Sequence, residues 1–311
     1  MKIIVTGAAG FIGSSLVKKL ASTGHNVLGI DALIDTTYSK EIKISRWSEL
    51  SVINNVELKQ LDMRYESCEP LLNGVDLIFN LAAMPGLVDS WIDFDLYLSC
   101  NVTATQKLLK AISNFRGQIK LIHISTSSVY GKVANSSEES EKLPFSPYGV
   151  TKLAAENLIQ AYSANLGFDF NILRYFSVYG PGQRSDMAYS KFIKAIYFGN
   201  TIEIYGDGKQ SRTNTYIDDC IEATIAVMDR GANQNIYNIS GIENVDLLTS
   251  IKIIEEILGK NARLDFLPAR GGDQLFTMGD ITKLLRDTNY VAKTNLEEGL
   301  RRQVECFLAG I

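Results

Sequence analysis

The amino terminus constrains the fold more tightly than any other stretch. Lys2 to Val5 form a short apolar, β-prone run, and Thr6-Gly7-Ala8-Ala9-Gly10-Phe11-Ile12-Gly13 follows at once. From Phe11 onward, Ile12, Leu16, Val17 and Leu20 recur at helical spacing until Gly24 offers a stop. The pattern is strand, glycine-rich turn, helix. Glycines permit the tight turn and let the backbone approach a pyrophosphate, whose charge meets the free N–H groups of the helix amino terminus. A second strand, Asn26 to Ile30, ends at Asp31, 18 positions after Gly13. A carboxylate there accepts both hydroxyls of an adenosine ribose and repels a 2′-phosphate, so the pattern favours NAD over NADP. Gly7, Gly10, Phe11, Ile12, Gly13 and Asp31 are the residues expected against that cofactor.

Further strand-like runs follow at Val56 to Leu61, Leu77 to Leu81, Lys120 to Ile124 and Asp169 to Leu173. Helical patterns, including Ala104 to Phe115 and Thr151 to Leu166, separate several of them. Alternating strands and helices predict an α/β fold with a doubly wound parallel (Rossmann) sheet. Ligands of such sheets gather at the carboxyl ends of the strands. Asp62, Ala82, Ala83 and Ser125 to Ser128 stand there, and Met63, Leu81 and Asn101 complete the set expected along the cofactor. The pattern breaks at Gly180-Pro181-Gly182-Gln183-Arg184 and again at Gly206-Asp207-Gly208-Lys209. A helix at Asp218 to Met228 and a strand at Ile236 to Ile239 resume it. Residues 1–175 and 213–241 are therefore expected to form the NAD-binding domain. Residues 176–212 and 242–311, with helices near Leu247 to Leu258, Ile281 to Asp287 and Leu296 to Leu308, are expected to form a smaller interleaved α/β lobe for the substrate.

Composition narrows the partners. The net charge of −4 argues against nucleic acid and anionic membranes, so an anionic ligand must meet local arginines or backbone amides. Cys68, Cys100, Cys220 and Cys306 are far apart and form no Cys-x-x-Cys, which predicts reduced, buried thiols. His25 and His123 are the only histidines, too few for a His-rich metal site, and no metal is expected. No apolar run approaches the ~18 residues of a membrane span. The amino terminus shows no secretory pattern before its first strand, so a cytoplasmic location is expected.

A second chemical signal lies in Ser146-Pro147-Tyr148-Gly149-Val150-Thr151-Lys152. Tyr148 and Lys152 are four residues apart and share a helix face, and Ser-Pro marks a helix start. An ammonium held near a phenol favours the phenolate, so Tyr148 is expected to act as a base below its ordinary pKa of about 10.

With these residues in hand, the chain resembles an extended short-chain dehydrogenase/reductase of the NAD-dependent sugar-nucleotide epimerase/dehydratase family. The resemblance rests on Thr6-Gly-Ala-Ala-Gly-Phe-Ile-Gly13, Asn80-Leu-Ala-Ala83, Ser125-Thr-Ser-Ser-Val-Tyr-Gly131 and Ser146-Pro-Tyr-Gly-Val-Thr-Lys152. It continues through Arg174-Tyr-Phe-Ser-Val-Tyr-Gly-Pro181, Gly206-Asp-Gly, Tyr216-Ile-Asp-Asp219 and Pro268-Ala-Arg-Gly-Gly-Asp273. Within the family, Pro85-Gly86, Ser90-Trp91 and Gln183-Arg184-Ser-Asp-Met187 are similar to stretches of UDP-glucuronate 4-epimerases. The resemblance implies transient oxidation at C4 of a UDP-sugar. Tyr148 removes the 4-hydroxyl proton, Thr126 or Ser127 holds O4, and Lys152 holds the nicotinamide ribose and tunes Tyr148. It also implies a homodimer packed through the helices around Ala104 to Phe115 and Thr151 to Leu166.

Chemistry separates the neighbouring reactions. Family dehydratases carry Asp-Glu where this chain has Ser127-Ser128, and decarboxylases typically carry a glutamate there. Both positions here are neutral hydroxyls. A 4-keto uronic acid is a β-keto acid, so an epimerase must hold its carboxylate still, and Ser127, Ser128 and Ser177 are expected to do so. The resemblance places Arg212 and Arg270 on the diphosphate, with Arg184 a third candidate, and adds Tyr175 and Asp273 to the substrate set. Two departures bear on the substrate: Val88-Asp89, where relatives usually carry an arginine at the first position, and Arg212-Thr213-Asn214, where Arg-Asp-Phe is usual. A 4-epimerase of UDP-glucose or UDP-N-acetylglucosamine, a UDP-glucuronate decarboxylase and a non-catalytic NAD-binding protein stand as the alternatives.

Overall fold

The computed structural model describes all residues except 36–38, 116 and 270–274. The first half alternates strands and helices: β1 (Lys2–Thr6), α1 (Phe11–Ser22), β2 (Asn26–Asp31), α2 (Lys40–Ser51), β3 (Val56–Gln60) and β4 (Leu77–Asn80). Then come α3 (Phe94–Tyr97), α4 (Ala104–Asn114), β5 (Lys120–Thr126), β6 (Val133–Ser136), α5 (Pro147–Leu166) and β7 (Phe170–Tyr175). A first excursion, β8 (Val178–Tyr179), α6 (Ala188–Phe198), β9 (Thr201–Tyr205), β10 (Ser211–Thr213) and β11 (Thr215–Tyr216), leads back to α7 (Ile217–Arg230) and β12 (Asn235–Ile239). The chain ends with β13 (Asn244–Asp246), α8 (Leu247–Leu258), β14 (Arg263–Leu267), β15 (Phe276–Gly279), α9 (Thr282–Thr288) and α10 (Leu296–Ala309).

Among the described residues the main sheet has seven strands in the order β12-β7-β5-β4-β1-β2-β3, and every pairing is parallel. Strand β1 explains why it sits centrally. Four of its five residues are buried, because a parallel strand is covered on both faces. Its side chains alternate between two cores: Ile3 and Val5 join Leu16 and Leu20 of α1, whereas Ile4 joins Leu108 and Leu109 of α4 and Ile159 of α5. Each such fully buried aliphatic side chain is worth about 1.5–3 kcal/mol in transfer from water. Chain order reverses at β1, between β2 and β4, and the crevice outside the carboxyl ends there is where ligands of such sheets bind.

Two local devices set the functional helices. In the glycine turn, Gly7 has φ +70°, and a β-carbon on it would lie 3.0 Å from the Ala82 nitrogen. Helix α5 begins earlier than the apolar pattern alone suggests. Ser146 caps it by accepting the Gly149 N–H at 3.1 Å, Pro147 takes the first turn, and left-handed Gly167 ends it. Tyr148 is thereby fixed in the first helical turn and Lys152 in the second.

The remaining strands build smaller sheets beside the cleft: β13-β10-β15-β6, the parallel pair β9 with β14, and the pair β8 with β11. The sequence reading did not announce α2, α6, β6 or β9. Strand β6 lies inside residues 1–175 yet pairs with β15, so the segment drawn as NAD-binding contributes a strand to the second sheet. Among the described residues, no helix is long and apolar enough to cross a membrane.

Candidate active site

A cleft of about 1300 Å³ opens at the carboxyl ends of the sheet strands. One end is walled by the glycine turn (Gly7, Gly10, Phe11, Ile12 and Gly13), Asp31, Asp62 and Met63, and by Leu81, Ala82 and Ala83. Thr126, Ser127, Ser128, Tyr148 and Lys152 line its middle, and Tyr175, Ser177, Arg184 and Arg212 stand further along.

At the cofactor end, Asp31 closes the crossover from β2. Its Oδ2 accepts the Ala9 N–H at 3.0 Å and its Oδ1 accepts the Leu33 N–H at 2.9 Å, so the carboxylate is bonded back to the glycine turn. Asp62 forms an ion pair with Arg64 at 2.6 Å, and the guanidinium holds its carboxyl below the usual range. Glycine is needed at Gly7 and Gly13 because side chains there would strike backbone, and this close packing holds the turn and the α1 amino terminus, whose free N–H groups suit a pyrophosphate, on the cleft wall. With Asp31 on the same wall, the residues present fit NAD.

In the middle, β5 ends at Thr126, whose Oγ1 accepts the Ser128 N–H at 3.1 Å and donates to Ser128 Oγ at 3.2 Å. That cap turns Ser127 and Ser128 onto the cleft wall. Tyr148 is half-buried, packs edge-on against Tyr97 with ring centres 6.2 Å apart, and hydrogen-bonds Thr126. Burial pushes its phenol up, opposed by the Thr126 hydrogen bond and by the charge of Arg184. Lys152 Nζ donates to the Ile124 carbonyl at 2.6 Å and lies 3.3 Å from His123 Nε2. Burial lowers its pKa to about 8, against the pull of Glu156 one turn on. The expectation that Lys152 depresses Tyr148 is therefore corrected for the protein alone: the lysine is directed at β5, and desolvation of the phenol dominates.

The other predicted residues are placed as follows. Asn101 stands off the cleft wall, fully buried. Its Oδ1 accepts the Met84 N–H at 2.7 Å, and its Nδ2 donates to the Met84 carbonyl at 3.1 Å and to Thr151 Oγ1 at 3.0 Å. It reaches the cleft only through the residues it pins. Tyr175 lines the cleft, but its hydroxyl meets Thr224 Oγ1 at 2.6 Å. Arg184 makes a two-pronged pair with Asp186, at 2.9 and 2.7 Å. Arg270 and Asp273 lie outside the described residues. Val88 and Asp89 are on the cleft wall.

Sequence reasoning missed Lys43, Arg64, His123, Glu156 and Arg174. Lys43 on α2 lines the cleft, and its Nζ donates to the Ile34 carbonyl at 2.8 Å. Glu156 had a legible signal, since it lies four residues after Lys152 on the same helix face. It makes a fully buried pair with Arg174 at 2.7 Å and accepts from Ser125.

A doubly wound parallel sheet with a glycine turn, and a Tyr–Lys pair on one helix beside strand-tip hydroxyls, defines a dinucleotide-dependent enzyme of the short-chain dehydrogenase/reductase type. The family model described as "NAD dependent epimerase/dehydratase family" matches residues 3–240, and the chain belongs to that family. It is 36% identical over 307 residues to a UDP-glucuronate 4-epimerase of Thermodesulfobacterium geofontis, covering 97% of this chain and 94% of the relative. It is 40% identical over 308 residues to an uncharacterized UDP-glucose epimerase of Bacillus subtilis, covering 98% and 97%. Among solved structures, the UDP-glucuronic acid 4-epimerase of Bacillus cereus in complex with UDP-glucuronic acid and NAD is similar, with a TM-score of 0.96 at 38% identity, covering both chains in full.

Proposed function

We propose that this protein is an NAD-dependent isomerase that interconverts UDP-glucuronate and UDP-galacturonate by inverting C4. The observation that carries the reading is the group Thr126, Tyr148 and Lys152 on one cleft wall, beside two neutral hydroxyls, Ser127 and Ser128. When bound, NAD supplies the hydride acceptor for C4 and the donor for its return. Gly7, Gly10 and Gly13 would hold its pyrophosphate, Asp31 its adenosine ribose and Lys152 its nicotinamide ribose. Tyr148 takes the proton of the 4-hydroxyl and returns it to O4 once the 4-keto sugar has turned to offer the opposite face of C4, with Thr126 or Ser127 holding O4. No acid–base pair stands at 127 and 128 to eliminate water. Ser127, Ser128 and Ser177 hydrogen-bond the carboxylate, keeping the β-keto acid from aligning for loss of CO2. Arg212, Arg184 and Arg270, with Tyr175 and Asp273, meet the nucleotide sugar.

Residues 1–175 and 213–241 serve the cofactor in this reading, and 176–212 and 242–311 the UDP-sugar. The working form is a cytoplasmic homodimer packed through α4 and α5. Light scattering that gave a monomer at micromolar concentration would count against the dimer.

Incubating the purified protein with UDP-glucuronate, without added reductant, and following products by proton NMR tests the activity. UDP-galacturonate is expected, and UDP-xylose would overturn the restraint of the carboxylate. A second reading, a neutral UDP-hexose or N-acetylhexosamine substrate, has Asp89 on the cleft wall in its favour, since a carboxylate there repels a uronic acid. Turnover of UDP-glucose or UDP-N-acetylglucosamine in place of UDP-glucuronate would select it. No turnover of any of them would point to a binding protein.

A further inference from the structure

Beneath the cleft, a line of buried hydrogen bonds crosses the sheet from the glycine turn to the catalytic helix. The Ala82 N–H donates to Thr6 Oγ1 at 3.1 Å, and Thr6 Oγ1 donates to Asn80 Oδ1 at 2.8 Å. Asn80 Nδ2 faces His123 Nδ1 at 3.0 Å and Thr105 Oγ1 at 3.4 Å, and His123 Nε2 faces Lys152 Nζ at 3.3 Å. Thr6, Asn80, Thr105, His123 and Lys152 are all at most 2% exposed, so no water competes for their protons.

The proton count fixes the orientation of each group. Thr105 gives its hydroxyl proton to the Asn101 carbonyl at 2.8 Å, so towards Asn80 it can only accept. Thr6 already accepts from Ala82 and needs an acceptor for its own proton. Only one orientation of the Asn80 amide serves both, with oxygen towards Thr6 and nitrogen towards Thr105 and His123. Reversing it leaves the buried Thr6 hydroxyl proton without an acceptor and sets the Asn80 oxygen against Thr105 Oγ1, which has no proton to give. His123 Nδ1 must therefore accept, and a neutral imidazole then carries its proton on Nε2. That N–H points at Lys152, whose ammonium has three donors and no acceptor.

We infer that His123 is a positioning residue for the proposed epimerase: locked by Asn80 as the neutral Nε2–H tautomer, it presents an N–H to Lys152 and loosens the lysine's hold on its proton. The remaining charged and titratable neighbours pull in known directions. Glu156 on α5, paired with Arg174 of β7, favours the ammonium, and Tyr148 stands one turn before Lys152. Arg184 acts on Tyr148 from across the cleft. Burial and the nearby lysine charge both keep the His123 ring neutral. The lysine is thus poised between a carboxylate that holds its proton and an N–H that opposes it.

The inference rests on the proposed activity only for its kinetic readout. The decisive measurement is on the wild-type protein: long-range proton–nitrogen NMR of protein carrying 15N-labelled histidine. Only His25 and His123 contribute, and His25→Gln assigns them. The expected result is a neutral His123 with Nε2 protonated and no titration between pH 6 and 9. An Nδ1–H tautomer, or an imidazolium in that range, would overturn the inference whether or not the protein turns over a UDP-sugar. The second test is His123→Asn, whose Oδ1 still accepts from Asn80 but which presents nothing to Lys152. The alkaline limb of its pH–rate profile is expected to move up by about one pH unit, a tenfold tighter hold on the proton. An unchanged limb, or one moved down, would reduce His123 to a packing residue.

Discussion

Gly13 and Gly7 are packed so closely that a β-carbon on Gly13 would lie 2.1 Å from the Gly7 carbonyl oxygen. The obstacle is backbone, which cannot rotate away as a side chain can, so Gly13→Ala must displace the turn or the start of α1. Overpacking of this kind costs about 1–3 kcal/mol. The variant is expected to fold with a lower unfolding midpoint and to lose copurified NAD, read from the nucleotide released on denaturation. Retained NAD at wild-type level would show that the turn adapts without cost.

Tyr148→Phe deletes the hydroxyl that hydrogen-bonds Thr126 and leaves the ring packing against Tyr97. Removal of a general base typically costs 10²–10⁴-fold. The expected loss is in kcat by about that factor, with nucleotide-sugar affinity by calorimetry within a few-fold of wild type. A loss confined to affinity would mean that Tyr148 binds and does not carry the proton.

Glu156 and Arg174 form an ion pair with exposures of 0% and 1%, and the carboxylate also receives Ser125. Arg174→Met leaves that carboxylate buried and unpaired, which costs about 3–5 kcal/mol. Removing both charges with Glu156→Leu and Arg174→Met is expected to be much milder, because nothing charged remains to desolvate. Urea titrations of the single and double variants measure the difference. Equal losses would assign the energy to packing instead of charge.

Lys152 gives a pH prediction with a definite sign. Its folded pKa, about 8, lies below the ordinary lysine value of 10.5, so between those values the unfolded chain binds more protons than the folded one. Stability contributed by this group is therefore lowest below pH 8 and rises through the window from about 8 to 10.5. Lys152→Met lacks the term. The difference in unfolding free energy between wild type and variant is expected to shift in favour of wild type across that window, and a flat difference would refute the burial effect.

Much of this molecule was legible in its sequence because the governing rules act over short distances. The Thr6 to Gly13 turn, Asp31 at the end of β2 and the Tyr148–Lys152 spacing each follow from local geometry. So does the α5 start, since Ser146 and Pro147 are adjacent to what they cap. What the sequence hid depends on residues far apart in the chain. His123 meets Asn80 across 43 positions and Lys152 across 29, and only the sheet order β4-β5 and the crossing of α5 bring them together. Asn101 illustrates the converse, a residue expected along the cofactor whose side chain is bonded to its own protein. Its position beside the cofactor wall is real, but its amide is spent on Met84 and Thr151, and no spacing rule announces that. Strand β6 escaped notice because its partner, β15, lies well over a hundred residues downstream.

Ser127 and Ser128 carry the final prediction, because in the proposed function they decide which of two fates awaits a 4-keto uronic acid. Both are nearly buried at the end of β5, and Thr126 fixes the turn that presents them by capping Ser128. A β-keto acid loses CO2 when the carboxylate bond aligns with the carbonyl π system, so each hydrogen bond that holds the carboxylate out of that alignment favours hydride return. Replacing both serines with alanine removes about 1 kcal/mol per hydrogen bond. Two such bonds change the partition by roughly 30-fold, since 1.4 kcal/mol is a factor of ten. The double variant, given UDP-glucuronate, is expected to release CO2 and accumulate UDP-xylose or its 4-keto precursor, with reduced NAD building up where hydride is not returned. Product ratios by proton NMR and absorbance at the reduced-nicotinamide band report both. If UDP-galacturonate remained the sole product at a lower rate, the restraint would have to come from elsewhere on the wall, and Ser177 and Arg184 would be the residues to replace next.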